Sequence, residues 1–296
     1  MSFAAGSMQF VEEGAETKRL HPGWAAAAGI TAVALARHGV SSPQHPYDGG
    51  QGLYRSHLRE GDGADLSRLT AALGEQWQID DVAVKLHPSC HFTHAFIEAA
   101  VHLAIEHDID PGAIERITCP IHDDEVPVVC EPRDRKVAPG SDYEAKFSLP
   151  YAVAASLVHR RFTLGELDAD VRRDERVLDV ARRVAHCADP ASAYPRAYSG
   201  EVIVHMNDGR ALRHRVQINL GSQERPVAED DIVAKFLANV RFAEVEQPAG
   251  DRIVEAVMSL DACGDAAALG EMLAALPRVG DHVARTAFDD TIGRGR

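Results

Sequence analysis

Apolar and polar positions change their spacing twice along the chain. Over 23–39 nearly every side chain is apolar and small (Gly-Trp-Ala-Ala-Ala-Ala-Gly-Ile-Thr-Ala-Val-Ala-Leu-Ala-Arg-His-Gly). A helix that is apolar all round predicts burial. A short helix is expected at 66–73. At 82–86 (Val-Ala-Val-Lys-Leu) the pattern becomes that of a strand. A turn at Pro88 then leads into a helix over 91–106, on which Phe96, Ile97, Ala100, Leu103 and Ala104 recur at helical spacing. A second strand is expected at 114–121, an irregular stretch at 122–142, and helices at 145–158 and 171–184. The clearest signal is a hairpin over 200–218. Two alternating runs there flank Asn207-Asp208-Gly209, whose residues favour a tight turn. Helical spacing returns at 229–242, with acids in the first turn where the helix dipole favours them. It continues at 253–260 and 266–276, and the polar stretch 285–296 reads as a frayed end.

This order predicts an α+β fold class with three parts: a helical region over 1–79, a mixed α+β region over 80–222, and a second helical region over 223–296. The chain has 296 residues and is 45% hydrophobic, enough for two domains. It contains no apolar run of the ~18 residues that a membrane span needs. Its formal net charge of −14 disfavours nucleic acid or an anionic membrane as partner. Five cysteines, at 90, 119, 130, 187 and 263, are scattered and form no Cys-x-x-Cys pair. That usage suits a cytoplasmic protein and argues against a disulfide framework or a zinc ribbon.

Net acidity does not exclude an anionic substrate, because clustered cations set the local field. Two places gather such groups. One is Lys18-Arg19-Leu20-His21, just ahead of the apolar helix. The other is Lys85, followed by Ser89, Cys90, His91 and His94 at the start of the next helix. A helix N-terminus presents unpaired N–H groups and a partial positive charge. With Lys85 beside it, the stretch predicts a small anion site suited to a carboxylate. The competing readings are ordinary ones: Lys85 reaching into solvent, His94 as a structural histidine, Cys90 as an inert thiol and Tyr151 as core. His91 and His94 have too few partners for a metal site, so no metal is expected.

Several stretches together resemble the MmgE/PrpD family, whose members include 2-methylcitrate dehydratase and cis-aconitate decarboxylase. They are Gly14-x-x-Thr17-Lys18-x-x-His21-x-Gly23, Gly50-x-Gly52-x-Tyr54, and Lys85-x-x-Pro88-Ser89-Cys90-x-x-x-His94. The series continues with Ala145-Lys146-Phe147-Ser148-Leu149-Pro150-Tyr151, Asp208-Gly209, Gly221 to Pro226, and Lys235-Phe236. The resemblance implies an all-helical domain with an inserted α+β lid domain and an active site between them. It places Lys18, Lys85 and Tyr151 at active-site positions, with His21, His94, Ser89, Cys90 and Arg19 in the same motifs. Family members carry a further helical segment ahead of the matched part, so the helical domain is expected to be incomplete at its N-terminus. The apolar opening 2–10 reads as a buried helix end.

The implied activity is that of a cofactor-independent lyase, a homodimer, acting on a small polycarboxylate. Its members' chemistry is a hydro-lyase dehydration of a 2-methylcitrate-type β-hydroxy acid, or decarboxylation of a cis-aconitate-type acid. Both pass through a carbanion next to a carboxylate, which needs fixed cations for its charge and groups that move protons. Lys18 and Lys85 suit the first task. Tyr151, His21 and His94 suit the second, with Ser89, Cys90 and Arg19 as substrate-binding groups. Two alternatives use the same residues: an isomerase or epimerase on this scaffold, and a non-catalytic or split-enzyme subunit that needs a separate chain to supply the N-terminal helical segment.

Overall fold

A computed structural model describes residues 6–13, 15–58, 63, 65–265 and 267–276. Gly14, the start of the 2–10 stretch and the polar stretch 285–296 lie outside the described residues. The chain divides into two units, Met1–Val82 and Ala83–Arg296.

The first unit holds α1 (Phe10–Glu13), α2 (Leu20–Arg37) and α3 (Leu53–His57), with a 3₁₀ turn at Leu66–Leu69 where a longer helix was expected. α2 forms as expected over the Ala-rich run. Its burial does not: Trp24, Ile30, Val33 and Leu35 are exposed, and none of its residues is buried. Among the described residues of this unit α1 and α3 span one turn or little more, so no long helix is present to pack on it.

The second unit is built on α4 (His94–Glu106) and a four-stranded sheet ordered β2-β1-β3-β4. β1 (Ile114–Ile121) is followed by α5 (Val126–Val129), α6 (Arg133–Val137), α7 (Asp142–Ala145), α8 (Leu149–His159), α9 (Ala169–Arg172) and α10 (Glu175–Arg182). This long crossover returns to β2 (Val184–Ala188), which pairs parallel with β1. β3 (Gly200–Met206) then pairs antiparallel with β1, and β4 (Ala211–Val216) antiparallel with β3. The fold class is α+β, with the sheet mixed. α4 packs on β3, β4 and α8, and α8 packs on α10. The core follows from the sequence pattern: Phe96, Ile97, Ala100, Leu103 and Ala104 of α4 are buried, as are Val202, Val204 and Met206 on alternate positions of β3. α11 (Glu229–Phe242), α12 (Gln247–Met258) and α13 (Ala267–Ala274) are the last helices among the described residues of the unit.

Several expected elements differ, each for a local reason. Residues 82–86 form no strand. Their backbone makes one strand-like bond, from Val84 N–H to Gly221 O at 2.8 Å, and the carbonyl of Lys85 is taken by the Lys235 side chain. The helix expected over 145–158 is two helices, because Ser148 caps α8 by accepting from the Tyr151 N–H and Pro150 sits in its first turn. The helix expected over 171–184 is likewise split, since Asp174 caps α10 and Val184 already belongs to β2. β2 (Val-Ala-His-Cys-Ala) has no alternation to announce it. Its place beside β1 comes from long-range parallel pairing. The irregular stretch 122–142 contains the short helices α5 and α6.

Candidate active site

The chain from Lys85 to His94 enters the second unit as a compact turn. Ser89 N–H donates to His87 O at 2.9 Å, Cys90 N–H to Lys146 O at 2.7 Å, and Thr93 N–H to Cys90 O at 3.0 Å. Thr93 Oγ1 pairs with Cys90 O at 2.8 Å and with Ser89 Oγ at 2.9 Å. The N–H groups of Ser89, Cys90 and Thr93 are therefore engaged within the protein. Ser89 is buried, and Cys90 is half-buried against the core.

Cations do converge on this turn. Lys85 Nζ donates to Ser89 O at 3.3 Å from an exposed side chain. Lys235 reaches back from α11 to donate to the Lys85 carbonyl. Partial burial holds the Lys235 ammonium below the usual lysine range.

Behind the lysines lie three histidine rings. His94 is 3% exposed, and its ring centroid lies 5.2 Å from that of His87 and 4.8 Å from that of His91. Their tautomers follow from their partners. His87 Nδ1 meets Phe162 O at 3.1 Å, and a carbonyl only accepts, so Nδ1 carries the proton. Asn219 Oδ1 accepts the Tyr198 N–H at 3.3 Å, which turns the amide nitrogen toward His91 Nε2 at 2.9 Å. His91 Nε2 thus accepts. His94 bonds the Ser89 backbone, while its Nε2 is buried with no hydrogen-bond partner among the described residues. Burial is the main force holding all three rings neutral. It depresses His94 to about 2, with His87, His91 and Lys85 adding repulsion. His91 falls to about 4, from burial and then Lys85, and His87 is lowered as well. Among the described residues no three His, Cys, Asp or Glu side chains are placed to hold a metal ion.

This arrangement carries an acid-stability prediction. The unfolded chain protonates His94 as pH falls through the ordinary 6.5, whereas the folded chain resists until about 2. Stability present above 6.5 is therefore lost as pH falls through that window, at about 1.4 kcal/mol per unit for one histidine. Urea unfolding measured above and below 6.5 should show this slope, and His94→Gln should flatten it. An equally steep profile in that variant would remove His94 as the cause.

The loop that carries Asn219 is tied down on both sides. Gly221 N–H donates to Arg225 O at 2.8 Å. The Arg225 guanidinium donates to Glu98 of α4 at 2.9 Å and to Ile218 O at 3.1 Å.

Tyr151 is placed differently from the others. It is fully buried, its hydroxyl donates to the Glu166 carbonyl, and burial holds that hydroxyl proton far above the usual range. In this arrangement it packs the core. Lys18, Arg19 and His21 belong to the first unit. There Lys18 Nζ lies 5.7 Å from the Phe10 ring centroid, Arg19 faces Glu16 at 3.6 Å, and His21 meets Phe10 edge-on at 5.7 Å. The groups that sequence reasoning overlooked are His87, Asn219, Tyr198 and the carbonyl contact of Lys235. The His87-x-x-x-His91-x-x-His94 spacing was a visible signal. Asn219 had none, since it arrives from a distant loop.

The MmgE/PrpD C-terminal domain matches residues 87–260, and the MmgE/PrpD N-terminal domain matches residues 1–64. A cis-aconitate decarboxylase of Mus musculus is 28% identical over 293 residues, covering 93% of this chain and 57% of that protein. One from Aspergillus terreus is 25% identical over 288 residues, covering 91% and 57%. A cis-aconitate decarboxylase-like protein of Aspergillus oryzae is 24% identical over 281 residues, covering 90% and 56%. The chain thus spans a little over half the length of these relatives.

Proposed function

The chain belongs to the MmgE/PrpD family, and from that premise we propose that it is a cofactor-independent lyase acting on a small di- or tricarboxylic acid. The observation that carries this reading is the meeting of Lys85 and Lys235 beside three neutral imidazoles. A carboxylate of the substrate binds the Lys85 ammonium. As the reaction builds negative charge on that carboxylate, the fixed cation stabilises it more than it stabilises the ground state. In a decarboxylation the electron pair of the breaking C–C bond stays on carbon, CO₂ leaves, and the carbanion takes a proton. In a dehydration a base removes the proton next to the carboxylate, and the β-hydroxyl leaves as water. His91 and His94 carry protons in either case, because a bound carboxylate beside them raises their affinity for one. Lys18, Arg19 and His21 retain the binding and proton-carrying roles of their motif.

The names of the relatives favour decarboxylation over the hydro-lyase reaction. Incubating the purified chain with a cis-aconitate-type acid should release CO₂ and leave an unsaturated dicarboxylate, followed by ultraviolet absorbance and mass. Water loss from a 2-methylcitrate-type acid would select dehydration, and an isomer of unchanged mass would select epimerisation. Inertness toward all of these acids would overturn the lyase reading for the chain alone. A second reading has its own observation. Trp24 and Leu35 on one side of α2, and Ile30 and Val33 on the opposite side, are exposed apolar side chains that separate helical segments would cover. On that reading turnover appears only when such a partner is added.

A further inference from the structure

Asn219 is buried, and its side chain is spent on two contacts. Oδ1 accepts the Tyr198 backbone N–H at 3.3 Å, and Nδ2 donates to His91 Nε2 at 2.9 Å. Tyr198 N–H is a donor at every pH. Turned over, the amide would set its NH₂ group against that N–H, donor against donor. The backbone of Tyr198 therefore fixes the amide, and the amide fixes the ring. A proton on His91 Nε2 would point at the Asn219 NH₂ group in the same unfavourable way.

The amide cannot easily give way, because its loop is tied at both ends of a short span. Gly221 N–H donates to Arg225 O at 2.8 Å, and Arg225 holds Glu98 of α4 and Ile218 O. Gly221 O accepts from Val84 N–H at 2.8 Å, next to Lys85. One loop thus holds both the backbone that leads to Lys85 and the ring of His91.

The proton of neutral His91 is left on Nδ1. Among the described residues no hydrogen bond engages that nitrogen, and the ring is only half-buried. Its neighbours are the Tyr198 ring at 4.5 Å, the His94 ring at 4.8 Å and the Lys85 ammonium, which opposes a further positive charge on it. We infer that Asn219 is a positioning residue that keeps the one proton of His91 on Nδ1, so that His91 donates a hydrogen bond to the substrate carboxylate bound by Lys85. The inference rests on the proposed lyase function and adds the means by which His91 meets the substrate. That carboxylate grows more negative as the carbanion forms, and a donor fixed in advance stabilises the charge without reorganising. Asn219 itself touches neither the substrate nor the reacting atoms.

Two kinds of measurement test this separately. Nitrogen-15 spectra of the histidine-labelled wild type should show a protonated Nδ1 and a bare Nε2 at His91 across the neutral range, with no substrate present. A proton on Nε2 would overturn the assignment, whatever the activity. In Asn219→Asp a carboxylate replaces the amide and accepts from Nε2, so at alkaline pH the single proton moves there. At that pH kcat/KM should fall about tenfold to a hundredfold, the value of one hydrogen bond to a charged group. His91→Phe keeps a ring between Tyr198 and His94 without an N–H, and should lose a similar factor. The double variant should lose no more than either single one, because Asn219 acts through His91. Wild-type kcat/KM in Asn219→Asp, or losses that multiply in the double variant, would overturn the positioning role. Should Asn219→Asp not fold, wild-type kcat/KM in His91→Phe would overturn it equally. If the wild-type chain turns over none of the acids, the lyase reading fails and the substrate contact with it, while the spectrum still decides which nitrogen of His91 holds the proton.

Discussion

Lys85→Ala should lower kcat/KM toward the polycarboxylate by about 10²–10³-fold, while the protein melts as the wild type does. The rate effect follows from where charge grows. The lysine ammonium meets a carboxylate that becomes more negative along the reaction, and one such fixed donor contributes about 3–4 kcal/mol to the transition state. The small stability effect follows from exposure. The Lys85 side chain is exposed, and its bond to Ser89 O at 3.3 Å is a long one. A hydrogen bond of this kind contributes about 1 kcal/mol or less. Lys85→Arg should recover part of the rate, because it keeps the charge in a broader, flatter group. Activity in Lys85→Ala equal to that of the wild type would remove Lys85 from the mechanism, and loss of folding would show that its role is structural.

Gly221→Ala should be among the most destabilising single changes in the second unit, by about 3–5 kcal/mol in denaturant unfolding. Gly221 has φ +93°, a region costly for a residue with a side chain, and a Cβ there would lie 2.0 Å from Val84 O. That atom is backbone, so no rotamer change relieves the overlap. The bond from Val84 N–H to Gly221 O must open. Gly209→Ala is the internal control. Gly209 has φ +88° with nothing within 4 Å of the added atom, so only the conformational cost of about 1–2 kcal/mol applies. Equal losses in the two variants would show that backbone strain, not the contact with Val84, governs Gly221. Because Val84 adjoins Lys85 and Gly221 adjoins the loop of Asn219, Gly221→Ala should also depress turnover beyond what its stability loss explains.

Local pattern alone determined a good deal of this protein. The hairpin of β3 and β4 was legible because Asn207-Asp208-Gly209 favours one turn and the flanking alternation favours one pairing. α4 and β1 were legible because a buried face imposes its period on the sequence, and α11 because acids fill its first turn, where the helix dipole favours them. The Lys85-to-His94 stretch stood out because chemistry-bearing residues are dense there, and the motif order pointed to the family. Tertiary structure decided what lies opposite each residue, which no local period encodes. It left 82–86 without a partner strand and gave β2 one despite its unremarkable sequence. It closed the hydroxyl of Tyr151 into the core, engaged the N–H groups of Ser89, Cys90 and Thr93, and brought Asn219 to His91 and Lys235 to the carbonyl of Lys85. Glu125 shows the division most plainly. In the sequence it is one acid among three, after Asp123 and Asp124. Only the packing of α5 shut it away from water and left its carboxyl without a partner. The free energy of a charge depends on what surrounds it, and those surroundings come from residues far away in the chain.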